Sequence, residues 1–119
     1  MYVAESFTGR LWAWDLEAPG AVKPGGSGPG GGHCILATTG HFDSLAVEED
    51  GTVVVAAITH GLCLVRPDAS HEFVDMPDPF TTNLCFTGDD RRTALVTLSG
   101  GGRLVATEWP RPGLALAYP

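Results

Sequence analysis

The pair His60 and Cys63 has the spacing, His-x-x-Cys, with which two side chains can hold zinc. A structural zinc site needs a second pair with matched spacing, and His33, Cys34 and His41 do not supply one. The alternative interpretation is structural: His60 is an ordinary turn residue and Cys63 is a buried thiol next to it. We favour it over a zinc site.

Two further patterns suggest chemistry that their surroundings do not support. Gly26, Gly28 and Gly31 match the letters of a dinucleotide-binding turn, but Pro29 interrupts them and a strand rather than a helix is predicted to follow. Ser99 lies in a glycine turn and not in a strand-to-helix elbow. The sequence therefore favours neither a nucleotide cofactor nor a serine nucleophile.

Asp43 differs from the other acidic residues because it stands immediately before an apolar strand. Taken alone, an aspartate at this place is expected to close a turn or cap a strand end. Most other carboxylates are predicted to be solvated turn residues. This group comprises Glu48, Glu49, Asp50, Asp89 and Asp90.

The elements that would position these side chains are short strands. Runs rich in Val, Leu, Thr and aromatic residues alternate with turn residues, and no helical periodicity persists without Gly or Pro. The predicted strands are Tyr2 to Glu5, Arg10 to Asp15, Cys34 to Ala37, Ser44 to Glu48, Thr52 to Ile58, Leu62 to Arg66, Glu72 to Val74, Asn83 to Phe86, Ala94 to Leu98 and Arg103 to Glu108. The chain is predicted to be all-β.

The strands repeat in order. A valine followed six residues later by a turn glycine occurs three times, as Val3 and Gly9, Val55 and Gly61, and Val96 and Gly102. A further strand precedes the second and third hairpins, Asp43 to Val47 matching Thr82 to Phe86 at an offset of 39 residues. Repeats of this period are typical of propeller blades. The corresponding strand of the first hairpin would precede Met1, so we expect the chain to begin inside a blade.

The fold prediction is therefore a partial six-bladed β-propeller, with about two and a half blades of four-stranded antiparallel sheets. Residues 1–119 form one domain, in which a Gly/Pro-rich segment at 19–32 is predicted to be a flexible surface loop. Innermost strands line the channel of a propeller, which would place Asp43 at the ligand cavity. Thr82 and Asn83 take the equivalent place in the next blade and are candidates for lining the channel or for a strand-edge hydrogen bond.

Composition excludes several classes of function. Seven basic and fourteen acidic residues leave a net charge of −7, so nucleic acid is not an expected partner. No apolar run is long enough for a membrane helix. Three widely spaced cysteines in apolar runs, Cys34, Cys63 and Cys85, suggest buried thiols in a reducing compartment, which predicts a cytoplasmic protein.

Three runs carry a resemblance to a known family. They are Tyr2-Val3-Ala4-Glu5-Ser6 with Gly9-Arg10-Leu11, Asp43 to Gly51, and Pro77 to Phe86. In order and spacing they resemble the C-terminal part of the gluconolactonase, senescence-marker-protein and luciferin-regenerating-enzyme-like superfamily. The insertion at 19–32 is the main departure from the family pattern.

The resemblance implies a hydrolase of sugar lactones or related esters with one divalent metal ion, Ca²⁺ or Zn²⁺. Asp43 matches the family aspartate that binds the metal and acts as general base. The family's asparagine and glutamate ligands would lie upstream of Met1, and one carboxylate does not hold Ca²⁺ tightly. The resemblance therefore implies a fragment that is inactive alone and whose small-molecule substrate is a lactone or ester.

Two other functions are compatible with the sequence. Open propeller pieces expose unpaired strand edges, which favours a non-catalytic binding module that self-associates. Alternatively, a separate N-terminal half carrying the missing ligands pairs with this chain and completes the enzyme.

Overall fold

A computed structural model describes residues 1–117, which form twelve strands and one 3₁₀ turn at Pro29–Gly31. The strands are β1 Tyr2–Glu5, β2 Arg10–Ala13, β3 Leu16–Ala18, β4 Ala21–Val22, β5 His33–Ala37, β6 Phe42–Val47, β7 Val53–Ala57, β8 Leu62–Val65, β9 His71–Val74, β10 Thr81–Thr87, β11 Thr93–Leu98 and β12 Arg103–Glu108. In this part of the chain no helix has the length and apolar character needed to cross a membrane.

The strands form three antiparallel sheets and one small hairpin. The first sheet has the order β1-β2-β5, the second β6-β7-β8-β9 and the third β10-β11-β12, while β3 and β4 pair apart from them. Successive sheets follow one another along the chain, as blades do. The all-β fold of a partial propeller is confirmed.

The predicted glycine hairpin is present in all three sheets, as β1–β2, β7–β8 and β11–β12. Gly9, Gly61 and Gly102 have φ values of 60°, 74° and 61°. Residues with a Cβ rarely adopt this left-handed conformation, so glycine is needed where each turn reverses the chain. The repeated glycine therefore encodes the hairpin locally.

The core lies between adjacent sheets. Val54 and Ala56 of β7 face a cluster shared with the third sheet, whereas Val53 and Val55 face a cluster shared with the first. Because both faces of the second sheet are covered, every residue of β7 is buried. In β11, which is covered on one face, buried positions alternate with half-buried ones.

The Gly/Pro-rich segment at 19–32 contains local hydrogen-bonded structure. It contributes β4 and the 3₁₀ turn, and the indole of Trp14 donates a hydrogen bond of 3.0 Å to the carbonyl of Pro29. A Cβ on Gly28 would lie closer than 3.0 Å to the ring of Trp12, as would one on Gly32 to the ring of Trp14. Glycine thus permits this segment to pack on two tryptophan rings.

Backbone hydrogen bonds join the sheets at the end where β6 and β10 begin, which we call the leading edge. Phe42 N–H donates to the carbonyl of Ser6, which joins the second sheet to the first, and Thr81 N–H donates to that of Ile58, which joins the third sheet to the second. Strands β6 and β10 contact each other across the two sheets, whereas a groove of about 640 Å³ separates β9 from β12. The first strands of the second and third sheets, β6 and β10, therefore lie nearest the common axis.

Candidate functional site

Asp43 lies exposed at the leading edge of β6, next to the fully buried Phe42. The register of β6 against β7 shifts between Phe42, opposite Ala57, and Leu45, opposite Val55. Asp43 is thus inside a β-bulge. Bulges redirect side chains and are frequent next to active sites.

The third sheet has a bulge at the equivalent place. Thr81 is opposite Leu98 and Asn83 is opposite Thr97, so the irregularity includes Thr82. The structure therefore places the predicted site residues Asp43, Thr82 and Asn83 at matching irregularities of two neighbouring innermost strands. The sequence repeat had aligned these positions but carried no signal for the bulges.

The Thr82 hydroxyl forms a hydrogen bond within its own sheet, since it lies 3.0 Å from the hydroxyl of Thr97. Asn83 is exposed, and its backbone carbonyl accepts a hydrogen bond from Thr97 Oγ1 at 3.4 Å. These contacts match the strand-edge role considered for Thr82. The Asn83 side chain remains available as a polar group of the candidate site.

Thr81, the first residue of β10, was not singled out from the sequence. It is fully buried, and its hydroxyl has no hydrogen-bond partner among the described residues. A buried hydroxyl without a partner costs about 1–3 kcal/mol. The repeat aligns Thr81 with Phe42 of the second sheet. A polar residue at a position that is apolar in the neighbouring repeat was therefore the sequence signal that could have identified Thr81.

Asp78, also at the leading edge, has a structural role. Its carboxylate accepts hydrogen bonds from the N–H groups of Phe80, Gly100 and Gly101 at 2.8–3.0 Å and lies 3.4 Å from the guanidinium of Arg103. The Phe80 N–H, with help from the other donors, lowers the pKa of Asp78. The carboxylate joins the β11–β12 turn to the segment that leads into β10.

Within residues 1–117, His60 and Cys63 belong to no group of three or more potential metal ligands. His60 is exposed in the β7–β8 turn, where its Nδ1 lies 3.0 Å from the Thr59 hydroxyl. Cys63 is fully buried, and burial raises the pKa of its thiol to about 11. Cys34 and Cys85 are exposed, which corrects the expectation that all three thiols are buried. They are exposed because each lies on a sheet face that no neighbouring sheet covers.

The side chains of residues 1–117 do not by themselves provide a complete set of metal ligands. Within residues 1–117 no three or more His, Cys, Asp or Glu side chains converge as a metal would require. A divalent cation needs several ligands, and Asp43 provides one carboxylate. Asp43 itself is therefore the candidate reactive group in this part of the chain.

Glu48, at the opposite end of β6, contradicts the expectation of a solvated turn residue. It is fully buried and accepts hydrogen bonds from Trp109 Nε1 at 2.6 Å and from Arg111 Nη2 at 3.1 Å. The Arg111 Nε also donates to this carboxylate, and the hydrogen bond with Glu48 is the main cause of a raised Arg111 pKa. Burial is possible because both carboxylate oxygens are paired.

Comparison with solved structures supports the propeller fold. A luciferin-regenerating enzyme superposes with a TM-score of 0.75 at 20% sequence identity, covering 97% of this chain and 43% of that one. This chain therefore spans less than half the length of that structure. No curated protein matches the sequence significantly.

The family model for the SMP-30/Gluconolactonase/LRE-like region matches residues 1–100, which is most of the chain and includes Asp43, Thr82 and Asn83. The resemblance carried by the three sequence runs is thereby confirmed. The chain belongs to the SMP-30/Gluconolactonase/LRE-like family.

Proposed function

We propose that this chain forms part of a propeller hydrolase that opens a lactone or related ester, and that Asp43 is its general base. Sugar lactones are the substrate class that the family resemblance implies. The observation that carries the proposal is an exposed carboxylate placed by a bulge at the leading edge of an innermost strand. Such a group can accept a proton from a water molecule that attacks the carbonyl.

The complete propeller would contain one divalent ion, Ca²⁺ or Zn²⁺, held by Asp43 together with groups from the rest of the ring. Membership of the family supports this part of the proposal. The coverage of only 43% of the luciferin-regenerating enzyme supports the proposal that this chain needs the rest of the ring for activity. A cytoplasmic location stays a prediction from the cysteine usage.

The test is Asp43→Asn in a complete propeller that includes this chain. We expect the rate of lactone hydrolysis to fall about 10²–10⁴-fold, the range by which general-base catalysis contributes, while circular dichroism shows that the propeller is still folded. Asp89→Asn, an exposed aspartate in the β10–β11 turn, is the matched control. Full activity in Asp43→Asn would show that the base has been assigned wrongly.

The alternative function, a self-associating module, is favoured by two strand edges. Within residues 1–117, β1 pairs with β2 alone and β12 with β11 alone. Leu104 on β12 is 66% exposed. Unpaired edges with exposed apolar residues promote pairing with another chain, either a second copy or a separate N-terminal half.

Light scattering combined with calorimetric titration of Ca²⁺ and Zn²⁺ distinguishes these functions. Tight metal binding by an oligomer, lost in Asp43→Ala, would mean that copies assemble a working site. An oligomer that binds no metal and becomes monomeric in Leu104→Lys would support the binding module. A monomer that binds no metal would support the incomplete enzyme.

A further inference from the structure

The residues that follow β12, here called the return segment (109–117), cross from the third sheet back to the second. Trp109 N–H donates to the carbonyl of Arg92, and Gly113 N–H to that of Arg91. The segment then reaches β6, where Leu114 N–H donates to the carbonyl of Val47 at 2.8 Å and Glu49 N–H donates to that of Pro112 at 2.9 Å.

These last two hydrogen bonds lie on the axial side of β6. Glu48 N–H points to the neighbouring β7 side, where it donates to the carbonyl of Thr52. Backbone groups alternate in direction along a strand, so Val47 and Glu49 present theirs to the opposite edge, away from β7. Because β6 is the innermost strand of its sheet, the return segment lies on the channel side.

The return segment is anchored by a buried group. Glu48 is paired with Trp109 and Arg111, and Arg111 Nε also lies 3.6 Å from a carboxylate oxygen of Asp50. Arg91 adds a hydrogen bond of 2.7 Å to the carbonyl of Gly113. Side-chain and backbone contacts together hold residues 109–114 in one position at the end of β6 opposite Asp43.

An apolar pocket of about 260 Å³ lies above this segment. Residues 45–47 of β6 and 84–86 of β10 form its walls, while Leu114 and Leu116 form its floor. Its side chains are hydrocarbon apart from the thiol of Cys85. A polyol would lose water here without gaining hydrogen bonds, whereas an alkyl group would lose nothing.

The pocket and Asp43 share one strand. Asp43 is four residues upstream of Val47, which at the rise of a strand corresponds to about 13 Å. We propose that the return segment closes the channel and that its apolar floor binds a hydrocarbon substituent of a lactone or ester that reacts at Asp43. The identity of the reacting group rests on the proposed function; the binding of hydrocarbon rests on the pocket.

Calorimetric titration of the chain with two unreactive lactams tests the inference, since a lactam resists hydrolysis. The probes are a γ-lactam with an unbranched alkyl chain and the lactam of gluconic acid. We expect the alkyl lactam to bind at least ten times more tightly, and the double substitution Leu114→Asn and Leu116→Asn to weaken its binding at least tenfold.

Leu16→Asn is the matched control, because Leu16 and Leu114 are both 47% exposed and Leu16 lies on β3, away from the pocket. It should leave alkyl binding unchanged, with circular dichroism confirming that each variant is folded. Equal affinity for both lactams, or alkyl binding unaffected by the floor substitutions, would overturn the inference. Binding needs no turnover. A complete propeller that binds the alkyl lactam but hydrolyses no lactone or ester would therefore contradict only the proposed reaction.

Discussion

At the scale of single residues, the surroundings of a carboxylate decide its role. Asp43 lies exposed in a bulge, Asp78 is held by three backbone N–H groups, and Glu48 is buried against Trp109 and Arg111. The sequence singled out Asp43 because it precedes an apolar strand. It could not separate Glu48 from solvated neighbours, because Arg111 lies 63 residues away.

Asp78 should make stability depend on pH. Its pKa is lower when folded than the ordinary value near 3.8, so its stabilising effect is present above that value and is lost as the pH falls through the folded-state pKa. We expect Asp78→Asn to lower the urea midpoint at pH 7. The difference from the wild type should narrow below about pH 4, as urea titrations at several pH values would show.

A constant difference down to pH 2 would mean that the carboxylate charge contributes nothing. Asp89→Asn controls for the loss of one surface charge, since Asp89 is exposed in a turn.

At the scale of elements, one hairpin is used in three different surroundings. Its valine and its turn glycine are local features, which is why the sequence predicted all three hairpins. The surroundings differ, because a Cβ on Gly61 would lie closer than 3.0 Å to the Val74 carbonyl, whereas one on Gly102 would meet nothing within 4 Å. Strands β3 and β4 were missed because they are short and form no part of the repeat.

Gly102→Ala and Gly61→Ala separate backbone strain from crowding. Both glycines have a left-handed φ, so alanine at Gly102 should cost about 1–2 kcal/mol of unfolding free energy. At Gly61 the methyl group must also displace β9, and we expect a total of about 2–5 kcal/mol. Chemical denaturation measures both, and equal losses would show that β9 yields without cost.

At the scale of the whole molecule, the return segment joins the second and third sheets through Glu48. This contact lies at the C-terminal end of β6, whereas backbone hydrogen bonds between sheets lie at the leading edge. The two ends of an innermost strand are therefore held separately. Asp43 and the apolar floor depend on this arrangement, since both belong to β6 or lie against it.

Glu48→Gln should lower the unfolding free energy by about 1–3 kcal/mol, because hydrogen bonds to a buried charged group are lost or weakened. Glu49→Gln is the neighbouring control: Glu49 lies 3.3 Å from Arg91 in an exposed pair, which contributes about 0–1 kcal/mol. Thermal unfolding of the two variants gives the comparison. Equal effects would mean that solvent reaches Glu48 and that the anchor is weak.

The sequence by itself determined the all-β class, the three hairpins, the family resemblance and the position of Asp43 at the start of an apolar strand. These follow from alternation, turn glycines and spacing, which act within a few residues of one another. Tertiary structure decided the bulges at Asp43 and Thr82, the burial of Glu48, the exposure of Cys34 and Cys85, and the return of Leu114 to β6. Each depends on which sheet faces and edges meet, and residues far apart in the chain determine those contacts.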